Sequence, residues 1–232
     1  ASAASQTGKN TNNATGNAKG VQGTENVNLA GREIEIPQKN LDWEKLRETN
    51  KDIYAWIYVP DSNVDYPVLQ HPTDDTYYLN YNMDGTKGYP GCIYSEKCNK
   101  KDFSDPLTVL YGHNMKDKSM FGTLHDFENS DMVMNDHYIY IYTEEKTFVY
   151  LIFGAYEFPS YHLILNFDLS NEYVYEQQLK EIFKLKGKSS RVANIRDDVT
   201  VTRYDRTITL YTCTKTSDAD YRFLVTGVLL NP

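Results

Sequence analysis

The sequence predicts a mainly β single domain, a barrel with one helix in front of it and a second helix in a long crossover. Three observations carry that prediction. Twenty tyrosines, with abundant Ile, Val and Thr, weight the chain toward strands. Short apolar runs bounded by turn residues recur from Val64 to the C-terminus. One amphipathic stretch, about residues 171–186, interrupts them. At 232 residues the chain is long enough for one domain with a full core.

Taken in order, residues 1–30 are mostly Ala, Ser, Thr, Asn, Gly and Gln, with Val21, Val27 and Leu29 as the larger apolar residues and no aromatic before Trp43. Such a segment buries too little to offset its ordering entropy, so it is expected to be a disordered tether, residues 1–30, ahead of a domain at 31–232. The chain begins at Ala1 with no visible secretion signal and reads as a trimmed form of a longer protein. The domain opens with a helix that Asn40 can cap. Asp42 and Glu44 favour its first turn, and Trp43, Leu46 and Ile53 offer an apolar stripe.

Strands are expected at Val64–Gln70, Gly91–Ser95, Thr108–Tyr111 and Tyr138–Tyr142, the last turning through Glu144-Glu145 into Thr147–Tyr156. Met120, Leu124 and Phe127 place a short helix around Ser119–Phe127. In the crossover, Ser170 caps a helix whose face is Tyr175, Leu179, Ile182 and Phe183, and Gly187 stops it. A hairpin from Val199–Arg203 to Thr207–Thr212 then delivers Cys213, and Tyr221–Leu230 closes the chain.

The formal charge of −8 and the lack of a Lys/Arg cluster argue against a nucleic-acid partner. No run of 18 apolar residues is available to span a membrane. Three cysteines are too few for a disulfide scaffold. Cys92 and Cys98 are read as a strand cysteine in the core and an unrelated loop thiol; a disulfide in an oxidising exterior is the alternative. His71, His125, His137 and His162 have no Cys or acidic partner at metal-ligand spacing and are read as surface or packing residues; no metal site is expected.

Cys213, His113 and Arg222 all fall at strand ends, the first closing Thr207–Thr212, the second just past Leu110-Tyr111-Gly112, the third opening Tyr221–Val225. A thiol, an imidazole and a guanidinium so placed are the parts of a thioester-forming site. The bland alternatives are a buried small cysteine, a turn histidine, and an Arg222 paired with Asp218 or Asp220.

Tyr111-Gly112-His113-Asn114-Met115, followed by Lys116 to Phe121, resembles the histidine segment of class B sortases. Thr209-Leu210-Tyr211-Thr212-Cys213-Thr214 is similar to the family's cysteine signature, and Arg222 stands where its arginine belongs. The stretch Asn50–Gln70, with Trp56-Ile57 and Asp65-Tyr66-Pro67-Val68, is also family-like, so the resemblance covers essentially everything after residue 40. One departure is Tyr211, where many class B relatives carry serine; it lies beside the nucleophile and bears on the shape of the groove.

The resemblance implies a closed sortase-type β-barrel with an N-terminal helix and a helix in the crossover before the cysteine-bearing strand. It implies an extracytoplasmic cysteine transpeptidase held to the membrane by an N-terminal anchor absent from this chain. Such an enzyme cleaves a sorting motif of the Asn-Pro-x-Thr kind after the threonine and passes the acyl group to a peptidoglycan amine. Leu79 stands where the family presents a groove leucine, and Tyr211, Thr212 and Tyr175 are expected to touch substrate. No metal or cofactor is called for. Two other readings stay open: a pilin-polymerising sortase using a protein lysine, and an inactive surface-binding module on the same barrel. The protonation of the pair is open as well, between a thiolate–imidazolium pair and a minority of correctly charged enzyme.

Overall fold

The computed structural model describes residues 21–187 and 190–232. Within them, β1 (Gly23–Leu29) and β2 (Arg32–Gln38) form a two-stranded antiparallel hairpin. The turn residues Ala30 and Gly31 both have positive φ (50° and 76°), the geometry that matches the twist of a two-residue hairpin. This corrects the expected tether: the folded part starts by Gly23, and only residues 1–20 of that segment lie outside the described residues. The physical reason lies in the partner strand. β2 alternates, with Ile34 and Ile36 buried and Glu33 and Glu35 exposed, so β1 needs to supply little apolar surface of its own. Tyr140 and Tyr142 donate their hydroxyls to the Glu35 and Pro37 carbonyls at 3.0 and 2.7 Å, and Arg32 meets Asp136 at 2.7 Å. The hairpin is thereby docked on the barrel.

Helix α1 (Trp43–Thr49) is capped by Asp42, whose carboxylate accepts from the Lys45 amide at 3.0 Å; Asn40 does not cap it. Ile53 belongs to the next strand, β3 (Ile53–Tyr58), and not to the helix face. There follow β4 (Asp65–Leu69), α2 (Tyr77–Asn80), β5 (Ile93–Tyr94) and β6 (Leu107–Tyr111). The helix expected at Ser119–Phe127 forms as a 3-10 helix, Gly122–Glu128, and continues past an Asn129 cap as α3 (Ser130–Met134). Next come β7 (Tyr138–Tyr142) and β8 (Thr147–Pro159). Helix α4 (Glu172–Lys184) is capped by Asn171 instead of Ser170, and Gly187 follows with φ +68°. The chain ends through β9 (Ala193–Ile195), β10 (Thr207–Cys213) and β11 (Tyr221–Leu229).

The strands run in the order β11-β10-β6-β5-β4-β3-β7-β8, and β8 pairs again with β11, so eight strands close a barrel while β9 adds to β8. Closure removes the free edges that an open sheet would expose. Inside lies a core of Ala55, Ile57, Val68, Leu110, Phe121, Ile141, Ile152, Leu210 and Phe223, among others, all fully buried. The hairpin expected between Val199–Arg203 and β10 does not form. Both edges of β10 are already taken, by β6 in parallel and β11 in antiparallel pairing. Val199 instead plugs a side cluster with Leu151, Phe153 and Val228.

Candidate active site

Register brings the three chemistry-bearing residues to one end of three neighbouring strands. Cys213 is the last residue of β10 and lies directly opposite Arg222 on β11. The last parallel pair between β10 and β6 is Tyr211 with Tyr111, so Cys213 and His113 each sit two residues beyond it. Gly112 makes that approach possible: a Cβ there would stand 2.5 Å from the Ile93 side chain and 2.7 Å from the Phe121 ring. Its amide donates to the Tyr211 carbonyl at 3.2 Å, tying the histidine segment to the cysteine strand.

His113 is half-buried, and its Nε2 lies 2.8 Å from the Leu79 carbonyl. A carbonyl only accepts, so Nε2 carries a proton and Nδ1 is the nitrogen left to exchange one. Tyr89, 70% exposed, sets its ring 4.8 Å from the imidazole. The segment carrying it closes on α2 because Gly91 has φ +67° and a Cβ there would meet the Tyr78 carbonyl at 2.5 Å. Sequence reasoning missed Tyr89; the aromatic ahead of Pro90-Gly91 was the available signal.

Arg222 is half-buried and donates from Nη1 to the carbonyls of Asp218, Ala219 and Tyr221 at 3.2, 3.1 and 2.8 Å. Neither Asp218 nor Asp220 forms an ion pair with it among the described residues. The Asp218 carboxylate is held by Arg191 at 2.9 Å. The amide of Asp220, and then Arg191, hold the Asp218 carboxyl below the usual aspartate value. Arg191 also bonds Glu157 and lies 3.5 Å over the Tyr221 ring. The loop between β10 and β11 is further fixed by Thr214, whose hydroxyl accepts from the Asp218 amide at 2.9 Å.

The expected groove residues divide. Leu79 and Tyr211 are half-buried near the site. Tyr211 meets Tyr111 edge-on at 5.1 Å, and burial raises its phenol pKa, with Arg222 opposing. Thr212 and Tyr175 are corrections. Each is 2% exposed. Thr212 donates its hydroxyl to the Gly112 carbonyl at 2.8 Å, and Tyr175 shares a 2.8 Å hydroxyl contact with Thr207 beneath α4. Strand alternation turns Thr212 inward, and Tyr175 is what anchors the crossover helix to the barrel.

All three cysteines are thiols. Burial pushes Cys92 up to about 12, and burial with Glu96 nearby pushes Cys98 up to about 11. Contrary to the expectation for His162, its Nε2 meets the Glu96 carboxylate, and Glu96, Cys98 and His162 place ligand atoms within 4.8 Å of one another. Sequence spacing hid this because the two loops lie far apart along the chain. The cluster is satisfied by protons: His162 Nδ1 accepts from the Ile164 and Leu165 amides at 3.2 and 2.9 Å, so Nε2 is the protonated nitrogen that donates to Glu96. His125 falls on the packing side of its expected role: it is 2% exposed and stacks on Phe223, with Nε2 3.0 Å from the Cys213 carbonyl.

A closed eight-stranded barrel with thiol, imidazole and guanidinium gathered at one end defines a class of barrel proteins equipped for cysteine acyl transfer. The Sortase domain family model matches residues 57–230, and the chain belongs to the sortase family, in its class B. It is 32% identical over 146 residues to sortase B of Listeria monocytogenes, covering 62% of this chain and 56% of that protein, so the match spans little more than half of the relative's length. The sortase B structure from Clostridium perfringens is 29% identical with a TM-score of 0.68, covering 82% of this chain and all of that one. The Staphylococcus aureus sortase B–substrate complex is 28% identical with a TM-score of 0.69, covering 81% and 84%. Sortases are transpeptidases of the Gram-positive cell surface.

Proposed function

We propose that this protein is a cysteine transpeptidase that cleaves a sorting peptide of the Asn-Pro-x-Thr kind after its threonine and transfers the acyl group to a peptidoglycan amine. The observation that carries this is the register: Cys213 lies directly across from Arg222, and both Cys213 and His113 stand two residues past the last β6–β10 pair. Cys213 gives its proton to His113 and its sulfur attacks the threonine carbonyl carbon, and the oxyanion that forms faces the Arg222 guanidinium. The C–N bond breaks as His113 gives a proton to the leaving amine, which departs and leaves a thioester. The incoming amine attacks that thioester and His113 takes its proton; the C–S bond breaks, a new amide is formed, and His113 returns the proton to the departing sulfur to restore the thiol. With Nε2 held on the Leu79 carbonyl, this proton traffic runs through Nδ1. Leu79, Tyr211 and Tyr89 border the path a peptide takes to Cys213.

The work is extracytoplasmic, with an N-terminal anchor in the full-length protein holding the barrel at the membrane. The test is cleavage of a quenched Asn-Pro-x-Thr peptide with a peptidoglycan-type amine present. Cys213→Ala and His113→Ala each abolish cleavage while circular dichroism stays native, since each removes a reacting group and not a core anchor. Turnover surviving in a natively folded Cys213→Ala would end this reading. Transfer to a protein lysine in preference to the cell-wall amine would redirect it to pilus polymerisation.

A further inference from the structure

The parallel ladder between β6 and β10 runs out at the point where the nucleophile begins. The Gly112 amide supplies the Tyr211 carbonyl; the next donor in that pattern, for the Cys213 carbonyl, would be the backbone of residue 114. The chain has turned away there, and side chains take over. Asn114 Nδ2 reaches the Cys213 and Thr214 carbonyls at 3.4 and 3.3 Å. His125 Nε2 reaches the Cys213 carbonyl at the better distance of 3.0 Å.

His125 is itself held on every side. Its Nδ1 lies 2.7 Å from Glu128, and its ring stacks on Phe223 at 4.6 Å, the residue paired with Thr212 across the ladder. The other Glu128 oxygen takes the Lys215 ammonium at 2.6 Å. The contacts close a ring, from the Cys213 carbonyl through His125, Glu128 and Lys215 back to the chain two residues on. Asn194 Nδ2 donates to the Phe127 and Glu128 carbonyls at 3.1 and 2.8 Å, which anchors the end of the 3-10 helix that carries the pair.

We infer that His125, braced by Glu128, is a positioning residue for the sortase reaction: by fixing the Cys213 carbonyl it fixes the peptide plane, and hence the direction from which the sulfur meets the scissile carbonyl. His125 touches no reacting atom. It acts through the backbone of the nucleophile, where an error of about 1 Å costs on the order of a hundredfold in rate. The inference rests on Cys213 being the nucleophile.

His125→Phe tests it, because phenylalanine keeps the volume and the stack on Phe223 while removing both hydrogen bonds. In the peptide-cleavage assay, kcat is expected to fall at least about tenfold, with KM within about twofold of wild type, because the loss is one of aim and not of binding. A merely structural His125 would lower the melting temperature and leave kcat per folded molecule unchanged, and that result overturns the inference. So does a raised KM with normal kcat. Should His125→Phe not fold, Glu128→Gln is read instead: it loosens the brace from a partly exposed position, and a severalfold fall in kcat supports the inference where wild-type kcat refutes it. Cys213→Ala runs beside both. If it still turns over, the active-site reading itself has failed; if it is dead while His125→Phe is normal, only the positioning role has.

Discussion

The Arg222 side chain is held by three backbone carbonyls of its own loop, where the His113 imidazole is held by the single carbonyl of Leu79. These hold one edge of the guanidinium and orient the whole plane, which a lysine ammonium cannot imitate although it keeps the charge. Arg222→Lys is therefore expected to lose on the order of a hundredfold in turnover, the scale of one lost oxyanion donor. Near-normal kinetics would move the oxyanion to backbone amides around Cys213. The cysteines offer a second check. Cys92 and Cys98, pushed up to about 12 and about 11, stay protonated thiols at pH 8, and protonated thiols do not alkylate. One equivalent of iodoacetamide on the native protein should label Cys213, as read by peptide mass mapping; a label found first on Cys98 contradicts that ranking.

At the level of elements, the N-terminal hairpin and the histidine segment make separable predictions. Removing residues 1–30 strips β1 from β2 and uncovers Ile34 and Ile36, which are 2% and 6% exposed in the intact protein. Two isoleucines brought into water cost a few kcal/mol at most, so the melting temperature should drop by several degrees while peptide cleavage at low temperature is unchanged. An unaltered melting temperature would mean the hairpin adds nothing to the barrel. Gly112→Ala acts in the opposite way. Its new Cβ drives into Ile93 and Phe121, an overpacking worth about 1–3 kcal/mol, and the displacement is passed straight to His113. Loss of cleavage should therefore exceed what the loss of folded protein explains.

Across the whole molecule, Arg196 joins pieces that lie far apart. Its buried guanidinium bonds Asp198 at 2.5 Å and Asp136 at 2.8 Å, and Asp136 also receives Arg32 from the hairpin. The Arg196 hydrogen bond lowers the Asp198 carboxyl from 3.8 to about 2. A carboxyl depressed on folding stabilises the native state above its unfolded value and stops doing so as pH falls through the folded one. The melting temperature of Asp198→Asn should accordingly lie below wild type at neutral pH, modestly because Asp198 is largely exposed. The gap should close between about pH 4 and pH 2. A gap that persists at pH 2 would show that the aspartate acts by packing and not by charge.

What the sequence determined by itself was whatever depends on neighbours along the chain. The alternation of Tyr138–Tyr142, the amphipathic face Tyr175/Leu179/Ile182/Phe183 and the strand-end positions of Cys213, His113 and Arg222 were all legible, because period and punctuation are local. The disordered reading of residues 21–30 failed because β1 has few apolar residues of its own; its stability comes from β2 and from Tyr140 and Tyr142, far downstream. The strand expected at Val199–Arg203 failed because propensity cannot tell that both edges of β10 are taken. Only the tertiary structure decided that Thr212 and Tyr175 face inward, that Glu96 meets His162, and that His125 grips the Cys213 carbonyl. Each of those contacts joins segments remote in sequence, and barrel closure, not local preference, sets which remote segments meet.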